Sequence, residues 1–266
     1  MILDTYLYLL FSLIGFLTSI VGSISGIGGG VFVKPLLDAF GVLSVSVVSF
    51  LSGCTVLAMS YYSVFMTIKN KESVINAKTS TPLAIGAAIG GVIGKNIFNI
   101  LAVTFPDKNR VGLFQAICLF VVLLGATIYI LRIEKIKTHH VDNFMVCILV
   151  GFGLGLVSSF IGIGGGPINM VFLYFLFSMD TKTAAGNSLY IIVFSQTTSL
   201  LYTIFSGQMP DINSILLVLM IAGGVGGGIL GRVISKKTSS STLNKIFLAS
   251  MVVLMLICSY NIKQFL

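Results

Sequence analysis

Ten apolar runs follow one another along the chain with little between them, at 3–24, 31–40, 44–68, 81–105, 111–131, 143–161, 168–179, 183–205, 215–234 and 243–262. Most are as long as the about 20 residues an α-helix needs to cross a hydrocarbon core, whereas 31–40 and 168–179 are too short to span alone. Barrel strands would instead alternate in segments of about ten residues. With 56% hydrophobic and only 9% charged residues in 266 positions, the chain has too little charge to clothe a water-soluble domain. The expected fold is all-α, a polytopic helical bundle whose solvent is the lipid bilayer.

The first run has Asp4 but no Lys or Arg ahead of it and no small-residue cleavage site behind it, so it is expected to stay in the mature protein. Cys54, Cys118, Cys147 and Cys258 sit within apolar runs without short spacings, which reads as buried thiols, not a disulfide framework or a zinc site. No metal or cofactor is indicated. The net charge of +8 is scattered over short loops and so speaks for topology, not for nucleic acid. Lys69, Lys71, Lys78, Arg132, Lys135, Lys137, Lys182, Lys236, Lys237 and Lys245 fall on one side, which the positive-inside rule makes cytoplasmic. Asp4, Asp38 and Asp211 fall on the other, with Lys263 and the stretch Pro106-Asp107-Lys108-Asn109-Arg110 as exceptions. Both termini are then expected outside.

An internal repeat organises the runs. Gly15-Phe16 followed by Ser25-Gly26-Ile27-Gly28-Gly29-Gly30 returns as Gly151-Phe152 followed by Ile161-Gly162-Ile163-Gly164-Gly165-Gly166, position 26 matching 162 at an offset of 136. Gly90-Gly91-Val92-Ile93-Gly94-Lys95 returns as Gly227-Gly228-Ile229-Leu230-Gly231-Arg232, position 90 matching 227 at an offset of 137. Residues 1–138 and 139–266 read as two membrane repeats of five segments. Five being odd, they must enter the bilayer in opposite orientations. Such inverted-topology repeats with short or broken helices are the plan of many secondary transporters, whose substrate site lies near the midplane.

Each Gly-Ile-Gly-Gly-Gly stretch stands between a long run and a short one. Three consecutive glycines destabilise a helix by roughly 1 kcal/mol per residue, so a break is favoured over mere close packing. A helix restarting there presents N–H groups and a positive dipole end to an anion. Pro167 suits the first turn of the restarted helix, and Pro35 kinks the other short run. For Gly86, Gly90 and Gly94, and for Gly223, Gly227 and Gly231, helix packing is the preferred reading. A phosphate loop is excluded, because no Lys-Ser/Thr pair follows the glycines, and a dinucleotide fold needs a soluble strand before them.

Lys34, Lys95 and Arg232 stand inside or at the edge of apolar runs, where a charge costs about 2.5–3.5 kcal/mol and needs a polar cavity or a partner. Lys34 follows the first break by four residues and either projects into the same cavity, or snorkels, or pairs with Asp38 one turn away. Lys95 and Arg232 occupy matching places nearer span ends, where snorkelling or packing is expected. None of the acidic residues Asp4, Asp38, Asp107, Asp142, Asp180, Asp211, Glu72 and Glu134 is expected deep in a span, so a carboxylate relay lacks its parts. Asn187, Ser188, Gln196, Thr197 and Thr198 crowd uncharged donors onto the eighth run, with Ser49, Ser52 and Thr55 as the sparser counterpart in the third; they serve as helix glue or as oxyanion ligands. His139 and His140 read as solvated loop residues, and Tyr61, Tyr62, Tyr190 and Tyr202 as packing or interface markers.

Ser25-Gly26-Ile27-Gly28-Gly29-Gly30 with Pro35-Leu36-Leu37, the second Gly-Ile-Gly-Gly-Gly-Pro at 162–167, and Ala185-Gly186-Asn187-Ser188-Leu189 resemble the sulfite exporter TauE/SafE family, also called the toluene sulfonate uptake permeases. The resemblance runs over nearly the whole chain. It implies a secondary transporter of sulfur-containing anions such as sulfite, sulfoacetate or organosulfonates in the bacterial inner membrane. Two departures stand out: Lys34 occupies a place where many relatives have an apolar residue, and Ser49-Phe50-Leu51-Ser52 lacks the fuller Gly-Asn-Ser-Leu pattern. The expected substrate site comprises Gly26, Gly28, Gly29, Gly30, Lys34, Ser52, Gly164, Gly165, Gly166, Asn187, Ser188 and Gln196, with Pro35 and Pro167 at the helix breaks. The expected partners are a small anion and the bilayer, without nucleic acid, and a homo-oligomer is compatible. The rival readings are an anion channel and an importer of a different small organic anion; an enzyme would need a nucleophile with a positioned base or paired carboxylates, which the sequence lacks.

Overall fold

Ten helices take up the ten runs in a computed structural model that describes residues 2–72, 74–105, 108–132 and 136–266, the side chains of 2–5 and 108 excepted. Pro106, Asp107, Glu134 and Lys135, and the side chains of Asp4 and Lys108, lie outside the described residues. The helices are α1 (Ile2–Ser25), α2 (Gly30–Phe40), α3 (Val45–Lys69), α4 (Ala77–Thr104), α5 (Lys108–Leu131), α6 (Phe144–Ile161), α7 (Gly166–Phe177), α8 (Thr181–Phe205), α9 (Ser214–Lys237) and α10 (Ser240–Phe265). Eight are long and apolar enough to cross a membrane. The short α2 and α7, of 11 and 12 residues, reach about half a hydrocarbon core at about 1.5 Å per residue.

Polar side chains start most of the long helices by accepting from N–H groups that have no intrahelical partner. Ser44 does so for α3, Asn143 for α6, Asp180 for α8, Asn213 for α9 and Ser239 for α10. The polarity of the bundle is inverted relative to a soluble protein. Leu13, Leu17, Val121, Leu149, Val218 and Leu256 face outward, while α3 buries Ser49, Ser52, Thr55, Ser60 and Ser63, and α8 buries Asn187, Ser188, Ser195 and Gln196. This is what a lipid solvent selects, and these two helices pack on each other in the middle.

Two seams hold the bundle together. On α4, Gly86, Gly90 and Gly94 lie so close to α6 that an added Cβ would stand 2.1, 2.0 and 2.2 Å from the carbonyl oxygens of Ile148, Phe152 and Leu156. From the other side, Gly151 and Gly155 approach the carbonyls of Leu83 and Ala87, each at 2.1 Å. On α9, Gly223, Gly227 and Gly231 meet the carbonyls of Ser12, Phe16 and Ile20 on α1 at 2.7, 2.3 and 2.5 Å. The small-xxx-small packing expected of both rows is therefore present. Beside the α4 glycine row, Ile85, Ile89, Ile93 and Ile97 form an outward row, as a 3.6-residue period requires.

The helix contacts come in matched sets under exchange of the first five helices for the last five. α4 packs on α6 as α9 on α1, α4 on α8 as α9 on α3, α2 on α3 as α7 on α8, and α2 on α10 as α7 on α5. The sequence halves are thus interlocked, each sending its fourth helix to the first helix of the other.

The seams predict a sharp contrast among glycine-to-alanine substitutions. Gly90→Ala and Gly94→Ala should lower stability in detergent by about 1–3 kcal/mol or more through overpacking. Gly125→Ala and Gly153→Ala, with nothing within 4 Å of the added carbon, should be neutral or stabilise by up to about 1 kcal/mol through helix propensity. Thermal melts of the four purified variants check this.

Candidate functional site

Both discontinuous helices break at glycines with left-handed backbone angles: φ is 71° and 81° at Gly26 and Gly28, and 77°, 79° and 90° at Gly162, Gly164 and Gly165. Residues with a Cβ rarely adopt these angles, so the chain leaves α1 and α6 here and restarts as α2 and α7. The two breaks touch. A Cβ on Gly30 would stand 2.8 Å from the Ile163 carbonyl oxygen, and one on Gly166 only 1.4 Å from that of Ile27. The N-termini of α2 and α7 therefore meet in the interior. Among the described residues, the N–H groups of Gly29, Gly30, Val31, Gly164, Gly165 and Gly166 have no protein acceptor.

Polar side chains gather around this crossing. Ser52 Oγ donates to the Gly30 carbonyl at 3.3 Å. Gln196 lies between the breaks and α3, its Nε2 3.7 Å from a Cβ on Gly164 and its Oε1 3.1 Å from one on Gly53. Asn169 Oδ1 comes within 3.2 Å of a Cβ on Gly165, and Ser49 Oγ and Ser19 Oγ each within 3.0 Å of one on Gly162 and Gly29. Ser19, Ser49, Ser188 and Asn169 carry buried oxygens with no partner, an arrangement that costs about 1–3 kcal/mol per group unless something else bonds them.

Of the alternatives open to the cations, the structure shows burial and, for Lys34, the pair with Asp38. Lys34, 2% exposed, does not snorkel: its Nζ bonds Asp38 Oδ2 at 2.7 Å, while its Cε lies 3.3 Å from a Cβ on Gly162. Asp38, near the end of α2, is itself only 7% exposed, so a carboxylate is buried within the protein there. The reason is that α2 presents Lys34 and Asp38 on one face, one turn apart, and α10 and α5 cover that face. Lys95 is buried too, its Nζ 4.6 Å from the centre of the Phe98 ring, and its electrostatic neighbours are Lys34 and Cys54. No carboxylate pairs with it among the described residues. Among the described residues the interior thus holds two ammonium groups against one carboxylate.

Arg232, the repeat counterpart of Lys95, is neutralised. It donates to the Ser63 carbonyl at 2.9 Å, to Thr67 Oγ1 at 2.6 Å and to Glu72 at 2.7 Å. Glu72 also pairs with Lys236 at 2.6 Å. Partial burial raises the Glu72 carboxyl, but the Lys236 hydrogen bond and the Arg232 charge outweigh this and hold it below its ordinary 4.5. These groups and Lys182 line a cavity of about 110 Å³ at the end of the bundle carrying the basic loops. Its wall includes Ala185, which packs directly on Gly26. At the opposite end a cavity of about 380 Å³ is lined by Asp38, Gly41, Ser44, Asn109 and Gln264.

The expected residues Gly26, Gly28, Gly29, Gly30, Lys34, Ser52, Gly164, Gly165, Gly166 and Gln196 come together at or beside the crossing. Asn187 does not offer its amide there. Its Oδ1 accepts from the Asn76 N–H and the Ser80 hydroxyl, and its Nδ2 donates to the Val74 and Thr183 carbonyls, stitching α8 to the α3–α4 connection. Pro167 occupies the first turn of α7, and Pro35 lies inside α2 with its carbonyl bonded by Asn261 at 2.8 Å. Sequence reasoning missed Asp38, Asn169 and Lys95 as interior groups. A signal existed for Lys95, which follows Gly91 by one turn on the face that Gly91 turns toward the Ser195 carbonyl.

A model of the sulfite exporter TauE/SafE family matches residues 11–257. The chain is 24% identical to the probable membrane transporter protein YunE of Bacillus subtilis, over 89% of this chain and 91% of that one. It is 26% identical to a probable membrane transporter protein of Xylella fastidiosa, over 88% and 87% of the two chains. It is 30% identical to one of Methanocaldococcus jannaschii, over 59% and 57%. No solved structure matches it significantly. The glycine breaks, the eight spans and these relatives agree: the chain belongs to the sulfite exporter TauE/SafE family, a family of membrane transporters and not of enzymes.

Proposed function

We propose that the protein is a carrier of small sulfur-containing oxyanions, sulfite or organosulfonates, exporting them across the cell (inner) membrane by alternating access around the crossed glycine breaks. The observation that carries this reading is the meeting of two helix N-termini beside Lys34, whose electrostatic neighbour is Lys95, with their N–H groups and the buried oxygens of Ser19, Ser49 and Asn169 unpaired. Helix N-termini, ammonium groups and hydroxyls are the donor set of an oxyanion site, and the excess positive charge suits a single negative ligand. Export follows the family's description.

The matched helix contacts support two inverted repeats, 1–138 and 139–266, and the basic loops support a cytoplasmic end carrying Lys69, Lys182 and Lys236 with both termini outside. In this orientation the cavity lined by Arg232, Lys236 and Lys182 is a cytoplasmic vestibule that gathers anions above the Gly26–Ala185 contact. The moving bodies are the glycine-locked pairs α1–α9 and α4–α6. Backbone contact between the breaks speaks for a carrier over an open channel.

Liposome flux of sulfite, sulfoacetate, taurine and thiosulfate tests the site. Lys34→Ala and Lys95→Ala each remove a charged donor and should slow the preferred anion about 10- to 100-fold, the equivalent of about 1.5–3 kcal/mol, while exposed Lys263→Ala should not. Wild-type rates for every anion in Lys34→Ala would overturn the role given to Lys34.

The Glu72 clamp adds a pH dependence. Its carboxyl is lowered in the folded protein, so the stabilisation is complete above the unfolded value near 4.5 and is lost as pH falls through the lower folded value. Melting temperature in detergent should fall from pH 5 downward in the wild type, and Glu72→Gln should be lower above pH 5 but flatter with pH.

A further inference from the structure

The carboxylate inside the bundle points beyond anion binding. Asp38 stands between two spaces. One is the cavity of about 380 Å³ at the non-basic end; the other is a small pocket of about 10 Å³, also lined by Lys34, Gln115, Cys258 and Asn261. The small pocket has room for about one water. Three buried oxygens with no partner belong to side chains lining it: Asp38 Oδ1, Gln115 Oε1 and Asn261 Oδ1. The amide nitrogens of Gln115 and Asn261 each donate to a carbonyl, at 2.6 Å to that of Phe160 and 2.8 Å to that of Pro35, which leaves their oxygens as the amide atoms without a partner. Beside a carboxylate, acceptors are the wrong complement. Beside a carboxylic acid, whose O–H donates, they are the right one.

From this geometry, and resting on the reading of Lys34 as an anion ligand, we propose that Lys34 and Asp38 form a proton-coupling switch, so that one proton travels with each anion. Lys34 Nζ has one partner, Asp38 Oδ2, while its stem packs on the second glycine break. When an anion at the break draws the ammonium away, Asp38 is left as a buried carboxylate without a counter-charge. A buried pair broken on one side is strongly unfavourable, and a proton that enters from the same side as the anion relieves it. The balance is simple. The Lys34–Asp38 ion pair breaks, Lys34 stays an ammonium and pairs with the anion, and Asp38 gains a proton and donates it to Gln115 Oε1 or Asn261 Oδ1. One negative and one positive charge enter together, and the net charge of the site is unchanged. The charged and titratable groups facing Asp38 are Lys34 on its own helix, Cys258 on α10 and, acting through Lys34, Lys95 on α4; α5 presents Gln115 and Asn109. On α1 the described titratable side chains are Tyr6 and Tyr8, that of Asp4 lying outside the described residues, and the basic residue of α3, Lys69, lies at the far end.

The test uses the full chain in proteoliposomes with methanesulfonate as probe, because its own charge does not change with pH. An internal pH dye follows protons, and a potassium–valinomycin clamp sets the potential. Wild type should move about one proton per anion, follow an imposed pH gradient and ignore the potential. Asp38→Asn should lose proton movement at least tenfold, and its remaining anion flux should follow the potential, worth about 2.3 kcal/mol per charge per 100 mV. Wild-type flux that moves no protons and follows the potential overturns the coupling while leaving the carrier intact, as does Asp38→Asn still moving one proton per anion. The wild-type stoichiometry decides even where the variant fails to fold. Wild type that carries none of the anions named above, methanesulfonate included, overturns the carrier reading, and the coupling falls with it.

Discussion

Backbone contact at the two glycine seams is the constraint on which the rest of the structure depends. In lipid, helices gain little from hiding apolar side chains, so association must come from close packing and polar contacts. Glycines at one-turn spacing bring α4 onto α6 and α9 onto α1 at distances where no Cβ fits. Because each seam joins one sequence half to the other, it also brings the two breaks together: α1 and α6 are the helices that end in them. With the outer helices so joined, α3 and α8 are left to meet in the middle, and their hydroxyl and amide faces become the lining of a polar interior. A bilayer tolerates irregular backbone only where protein buries it, and the seams supply that burial for both breaks.

The glycine spacing carried much of this in plain view. Runs of about 20 apolar residues marked the eight long helices, triple glycines marked the breaks, and glycine at every fourth place marked the seams, because each depends on local backbone geometry. The side-chain chemistry of the interior was less legible. Asp38 falls near the end of a short apolar run, where a loop-facing carboxylate is the natural reading, and only the packing of α10 and α5 over α2 buries it. Asn187 looked like a ligand because amides are rare in spans. Its partners Val74 and Asn76 are more than 100 residues away in sequence, so that its amide is engaged elsewhere depends wholly on tertiary structure.

Where the repeat is faithful it builds scaffold, and where it departs it builds chemistry. Lys95 and Arg232 correspond, but Glu72, which neutralises Arg232, corresponds at the offset of 136 to Gln208. A carboxylate at one end is replaced by a neutral amide at the other, and Gln208 accepts from Asn99 instead of a cation. Lys95 is thereby left with an aromatic ring in place of a counter-charge, a far weaker form of compensation. Lys34 and Asp38 correspond in the same way to Met170 and Tyr174, so the buried ion pair exists in one half only.

A carrier with two perfectly matched halves would present equivalent faces to both sides of the membrane, and nothing in its own chemistry would distinguish inward from outward. Here the ends differ in kind. At the basic end, Glu72 is an anion already seated between Arg232 and Lys236, so in the proposed carrier an anion entering there competes with a carboxylate that solvent can screen. Toward the other end, Lys34 is held by a carboxylate that solvent screens far less, and releasing it requires that Asp38 find another source of positive charge. On the proposed mechanism the first exchange is sensitive to ionic strength, the second to protons. Three departures from the repeat, Glu72 against Gln208, Lys34 against Met170 and Asp38 against Tyr174, give the two ends different chemistry.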